Sequence, residues 1–115
     1  AGSQRIIFTA QTTAEEMAQA RGLVVTGRQV TMEAPNRTRV VVDFVTKNPA
    51  GEVFFHEAKN GLGAMLTKNQ RIAYPLAGQV GWVPRGANAA RAGLEVGVAR
   101  QDFNLVFTRV LIPPS

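Results

Sequence analysis

The run Val40-Val41-Val42-Asp43-Phe44-Val45 constrains the fold of this chain more than any other stretch. Side chains of a strand alternate between its two faces, and here both faces are apolar. Such a strand needs cover on each side, so the run reads as a central strand with a layer above and a layer below. It lies within a strand-like segment, Arg39 to Thr46, between two others, Arg28 to Glu33 and Glu52 to Ala58. Pro35-Asn36 fills one gap and Asn48-Pro49-Ala50-Gly51 the other, both with turn chemistry. Gaps this short join antiparallel neighbours, which makes the three runs a meander.

Helical spacing frames the meander. Thr12 to Gly22 reads as a helix with Gly22 as its stop, opened by a capping box of Thr12 with Glu15 or of Thr13 with Glu16. A second helix is expected from Thr67 to about Gly78, bent or cut short by Pro75, and one further helical turn from Asn88 to Gly93. Asn104 to Ile112 reads as the last strand, ended by Pro113-Pro114. Helix, three-strand antiparallel meander, helix, strand amounts to an α/β fold, a mixed sheet flanked by helices.

Length and composition allow one domain over 1–115, since 115 residues with 45% hydrophobic content support a single core. No apolar stretch is long enough to span a membrane, and no secretory leader pattern is present. The chain starts Ala1-Gly2-Ser3 without an initiator Met, and it is read as the C-terminal fragment of a longer protein. With no cysteine, disulfides, thiolate zinc sites and cysteine nucleophiles are excluded. The net charge is +5, and ten of the thirteen basic residues are arginine. That balance fits a polyanionic partner such as nucleic acid, and equally an ordinary solvated basic surface.

A carboxylate inside the central run is expensive to bury without a partner, which singles out Asp43. Alternation along the next strand sends Val53, Phe55, Glu57 and Lys59 to one face. If the hairpin pairs as expected, Asp43 and Glu57 meet on that face with Lys59 one step beyond. Two carboxylates repel unless a cation lies between them, and hard oxygen ligands suit magnesium (Mg2+) or manganese. A lysine alongside can orient or deprotonate a water and offset charge on a phosphorane. The competing reading is a buried ion pair in which Lys59 merely neutralises the two acids.

Asp43, then Glu57-Ala58-Lys59 at the end of an apolar strand, then a helix carrying Gln70, resembles the PD-(D/E)XK nuclease superfamily. The segments Glu57 to Gly61, Leu66 to Gln70 and Asn88 to Leu94 are similar to nuclease toxin domains at the C-termini of bacterial polymorphic toxins and type VI secretion effectors. Val42 stands where the motif's name has proline. The resemblance implies a restriction-endonuclease-like fold and metal-dependent endonuclease activity on DNA. It implies that the backbone carbonyl of Ala58 joins Asp43 and Glu57 as a metal ligand, that Lys59 serves the attacking water, and that Gln70 belongs to the site. An antibacterial toxin delivered by a secretion system, acting in the cytoplasm of a target bacterial cell and blocked by a cognate immunity protein, follows from the same resemblance. An RNA-cleaving relative and a non-catalytic nucleic-acid-binding module are the alternatives. In relatives a first-helix glutamate often completes the site, and both Glu15 and Glu16 stay open for that part.

Gln70 also has a structural reading, since Thr67-Lys68-Asn69-Gln70 is a capping box. Lys68 and Arg71, at the start of the same helix, are candidates for gripping substrate phosphate or are simply solvated. Arg85, Arg91 and Arg100 are weaker candidates for extending a basic surface. Gly61-Leu62-Gly63 reads as a flexible turn, lacking the third glycine of a dinucleotide loop. His56, the single histidine, has no partner for a zinc motif or a serine triad and points away from Glu57. Tyr74 and Trp82 are expected as core anchors.

Overall fold

The apolar run forms the middle strand of a five-stranded mixed sheet in the computed structural model, which describes residues 10–61 and 65–111. The elements in chain order are α1 (Ala10–Ala20), β1 (Val24–Glu33), β2 (Arg39–Lys47), β3 (Val53–Asn60), α2 (Lys68–Gln79), β4 (Val83–Arg85), α3 (Gly86–Arg91) and β5 (Leu105–Val110). In space the strands run β4-β1-β2-β3-β5. The first four pair antiparallel and β5 lies parallel to β3, so the meander has the expected order with β2 at its centre. No helix among the described residues is long and apolar enough to cross a membrane.

Two separate apolar layers cover the sheet. Ala73, Tyr74 and Ala77 of α2 and Ala89 of α3 pack with Val30, Met32, Val42, Val45, Phe55 and Trp82. On the other side Ala14 and Ala18 of α1 pack with Phe44, flanked by Leu23, Val25 and Ala58. Phe55 and His56 show the alternation directly: the first lies under α2, the second beneath α1.

Several local expectations need correction. Helix α1 is already running at Ala10, so Thr12 and Thr13 lie inside it and cannot be its capping box. Its end is as expected: Gly22 takes φ +86°, its N–H bonds the Gln19 carbonyl, and Leu23 N–H bonds that of Ala18, a Schellman stop. Strand β1 begins at Val24, four residues before the expected start. Pro75 removes one helical donor but does not end α2, because Tyr74 and Ala77 on either side of it are held in the core. Sequence periodicity also missed β4, whose three residues are too few to show any. Leu62 in the expected Gly61-Leu62-Gly63 turn, and the Pro113-Pro114 stop, lie outside the described residues.

The β1–β2 hairpin closes through a turn over Ala34 to Arg37, with Arg37 N–H on the Ala34 carbonyl at 2.8 Å and Ala34 N–H on that of Thr38 at 2.9 Å. This is a type I turn followed by a left-handed residue, the position at which glycine is usual. Here it is Arg37, at φ +68°. An L side chain in that conformation costs roughly 1 kcal/mol.

Gly27 follows the bulge in β1 and lets α3 approach the sheet. A Cβ built there would stand 2.4 Å from the Cβ of Ala92 and 3.0 Å from its Cα, and a backbone atom cannot swing aside. Gly27→Ala should therefore lower the unfolding free energy by about 1–3 kcal/mol in urea titrations. Gly51→Ala, where nothing lies within 4 Å but φ is +85°, tests conformational strain alone and should cost about 1 kcal/mol.

Candidate active site

Strands β2 and β3 pair from Lys47–Val53 as far as Phe44–His56, and there the ladder ends. One step further on, Asp43 stands across from Glu57. The Ala58 N–H, which would have continued the ladder, donates instead to Asp43 Oδ2 at 2.7 Å. N–H and C=O of one strand residue leave the strand on the same side. The Ala58 carbonyl therefore faces the gap that Asp43 occupies.

Glu57 is buried and Asp43 is half-buried. The Tyr74 hydroxyl donates to Glu57 Oε1 at 3.1 Å, and Lys59 Nζ lies 3.3 Å from Glu57 Oε2. Gln70 forms the capping box and also reaches Glu57. Its Oε1 accepts the Thr67 N–H at 2.8 Å while the Thr67 hydroxyl accepts the Gln70 N–H at 3.2 Å, completing the capping box. Its amide also faces Glu57 and favours the ionised carboxylate. One side chain does both because the box fixes Oε1 on the helix end and leaves the NH2 group for the site.

The electrostatics show what this grouping lacks. Burial pushes the Glu57 pKa up, the Asp43 charge pushes it further, and Gln70 and Lys59 only partly offset them. Burial also raises Asp43, against the Ala58 N–H and Lys59, with Glu15 adding to the rise. Two raised carboxylates with the Ala58 carbonyl on the same side form an all-oxygen donor set that a divalent cation would relieve. Among the described residues no third carboxylate or imidazole joins them as a metal-ligating group. Asp43, Glu57 and the Ala58 carbonyl, completed by water, fit the usual magnesium arrangement of one or two carboxylates with retained waters.

Between the two first-helix acids, Glu15 is the one on the Asp43 side, and its charge acts on that carboxyl; Glu16 points to solvent. Arg28 grips Glu15 with contacts of 2.7 and 3.0 Å, and Gln11 Nε2 donates to it at 3.0 Å. Although burial raises the Glu15 pKa, these partners bring it below the usual range.

Lys68 and Arg71 are both exposed at the start of α2, next to Gln70. The Gly-rich arginines mostly do not extend a basic surface. Arg100 is paired with Asp102 at 2.6 Å, and Arg85 is held by Glu33 at 2.9 Å, a carboxylate it shares with Arg39. Arg91 is exposed and bonds Asn88. Trp82 is the anchor expected of it, buried with its Nε1–H on the Asp102 carbonyl. Tyr74 is more than an anchor, and sequence reading missed its place in the site. The signal was its spacing: Tyr74 is four residues after Gln70, hence on the same helix face.

His56 lies on the face opposite Glu57, as alternation requires. It stacks on Phe44 at 4.3 Å between ring centroids and meets the Thr46 hydroxyl at 2.7 Å. A cavity of about 210 Å³ on this α1 side is lined by apolar residues with His56, Arg21 and Thr108. It does not include the carboxylates. Comparison with known proteins finds no matching family model, curated relative or solved structure.

Burial lowers the His56 pKa to about 4, with Arg21 adding to the effect and Glu15 opposing it. The folded imidazole is therefore neutral, while in the unfolded chain it titrates near about 6.5. Between those values the unfolded state binds more protons, so His56 costs the fold stability as pH falls through this window. Urea unfolding should show lower stability at pH 4.5 than at pH 7, and a smaller drop in His56→Gln.

Proposed function

We propose that this chain is a metal-dependent endonuclease that hydrolyses DNA phosphodiester bonds on a restriction-endonuclease-like sheet. The observation that carries this reading is the end of the β2–β3 ladder. There Asp43, Glu57, the Ala58 carbonyl and Lys59 come together beside the cationic start of α2. Bound at the two carboxylates, magnesium or manganese would polarise the scissile phosphate and acidify a water. Lys59 orients the water and offsets charge on the phosphorane, and Gln70 and Tyr74 hold Glu57 in place. Lys68 and Arg71 grip the phosphate backbone. In hydrolysis the water oxygen bonds to phosphorus, the bridging P–O bond breaks, and the leaving oxygen takes up a proton.

The resemblance of these motifs to polymorphic-toxin and type VI effector nucleases extends the proposal. The chain would act as an antibacterial toxin domain, delivered to the cytoplasm of a target bacterium and blocked by a cognate immunity protein. One observation favours a second reading. The Lys59–Glu57 contact at 3.3 Å is also what a purely structural ion pair would form.

Asp43→Asn separates the two readings, because the amide oxygen can still accept the Ala58 N–H while the charge is gone. The variant should stay folded, melt no lower than the wild type in chelator, and lose cleavage of plasmid DNA by on the order of 100-fold or more. Magnesium should raise the melting temperature of the wild type and not that of the variant. Undiminished digestion by Asp43→Asn, or by the wild type in excess chelator, sinks the metal-site assignment. Gln70→Glu keeps the capping oxygen but sets a third negative charge against Glu57. It should abolish cleavage and lower the chelator-state melting temperature, with magnesium recovering part of the loss.

A further inference from the structure

We propose that Arg37, at the tip of the β1–β2 hairpin, is a second anchor for the DNA backbone, remote from the carboxylate pair; this rests on the nuclease reading above. The turn itself gives no reason for an arginine at this position. Its left-handed φ of +68° suits glycine or asparagine, and the side chain is exposed. Among the described residues the guanidinium makes no ion pair or hydrogen bond that would repay the strain. Gln29, the other non-glycine residue at positive φ, is different. Its side chain bonds Gln11 Oε1 at 2.7 Å and its carbonyl accepts Asn88 Nδ2 at 3.0 Å, so contacts across the fold hold it. A strained backbone beneath an unengaged charge points to a role outside the fold.

Position gives that charge a target. The carbonyl of Arg39, two residues on, accepts Asn69 Nδ2 at 3.4 Å. This bond ties the hairpin to the first turn of α2, where Lys68 and Arg71 are exposed and Gln70 faces Glu57. Along β2, Arg39 precedes Asp43 by four residues, about 13 Å at roughly 3.3 Å each. At about 3.4 Å of axis per base step, that interval covers about four steps. A mononucleotide does not span it, whereas a polynucleotide backbone does. Arg39 and Arg85 share the single carboxylate of Glu33, so this end of the sheet keeps a positive surplus beside Arg37.

The test uses Arg37→Gly, which removes the charge and supplies the residue that the turn favours. Binding of a short fluorescent DNA duplex would be measured by anisotropy in chelator across a range of salt, with melting temperatures recorded in parallel. Arg37→Gly should bind roughly three- to tenfold more weakly, with the salt slope reduced by about one. Its melting temperature should equal or exceed that of the wild type, and Arg37→Lys should retain most of the binding. Equal affinity and slope in wild type and Arg37→Gly overturn the anchor while leaving the nuclease reading intact. A lower melting temperature in Arg37→Gly also overturns it, because the arginine would then be serving the fold. A wild-type protein that binds no duplex at all removes both the anchor and the DNA substrate.

Discussion

The candidate site depends on one hydrogen bond that is not between backbones. Where the β2–β3 ladder stops, the Ala58 N–H needs an acceptor, because a buried backbone donor left alone costs about 1–3 kcal/mol. Asp43 Oδ2 supplies it at 2.7 Å. This contact bridges the two strands where their ladder ends, on the side to which the Ala58 carbonyl also points, and holds the Asp43 side chain at the edge of an apolar core. Asp43 sits where the central strand loses β3 as a neighbour while keeping β1, with Val42 packed in the α2 layer and Phe44 in the α1 layer. A polar residue at that crossover breaks neither layer.

Glu57 is more enclosed than Asp43 and is correspondingly better supplied with donors. Tyr74, Gln70 and Lys59 surround it, and among the described residues no buried side-chain polar atom lacks a partner. Hydrogen bonding is thus complete while charge balance is not, since burial raises both carboxyls and the Asp43 charge further disfavours the ionised form of Glu57. A site of this kind is stable enough to fold and remains receptive to positive charge. Lys59 provides part of that charge from within the chain, at the end of the same strand. On the opposite face, His56 is buried neutral between Phe44 and Thr46, which keeps another charge out of the layer behind the carboxylates.

Much of this arrangement was legible in the sequence, and the reasons are physical. The Val-rich run with turn residues on both sides specified an antiparallel meander with β2 in the middle, and period-two alternation placed Glu57 and His56 on opposite faces. Thr67 and Gln70 announced a capped helix at its observed start. What failed depends on tertiary contact. Glu15 has the spacing of a capping residue but goes to Arg28, thirteen residues later, once α1 lies across β1. Pro75 is tolerated because burial of its neighbours outweighs one lost helical bond. Arg85 was a candidate for the basic surface until folding brought Glu33 to it from far along the chain. Arg100 differs, because it pairs with Asp102 only two residues on, a local contact the sequence did offer. The second role of Tyr74 needed the α2 face to be laid over the end of β3.

The parallel pairing of β5 with β3 has a kinetic consequence. Strand β3 acquires its antiparallel neighbour through a short turn, and its other neighbour only after the chain from Asn60 to Leu105 has doubled back. Local contacts form early and distant parallel pairing late, because loop closure precedes any contact that rewards it. The Asp43–Glu57 hairpin can therefore assemble while β3 still has an open edge. Until β5 arrives, that edge offers unpaired backbone groups beside Phe55, a surface prone to pairing with other chains. The final strand thus covers the β3 edge and takes its place as the sheet's outer strand, and the interval before it docks leaves the longer β3 edge exposed to aggregation.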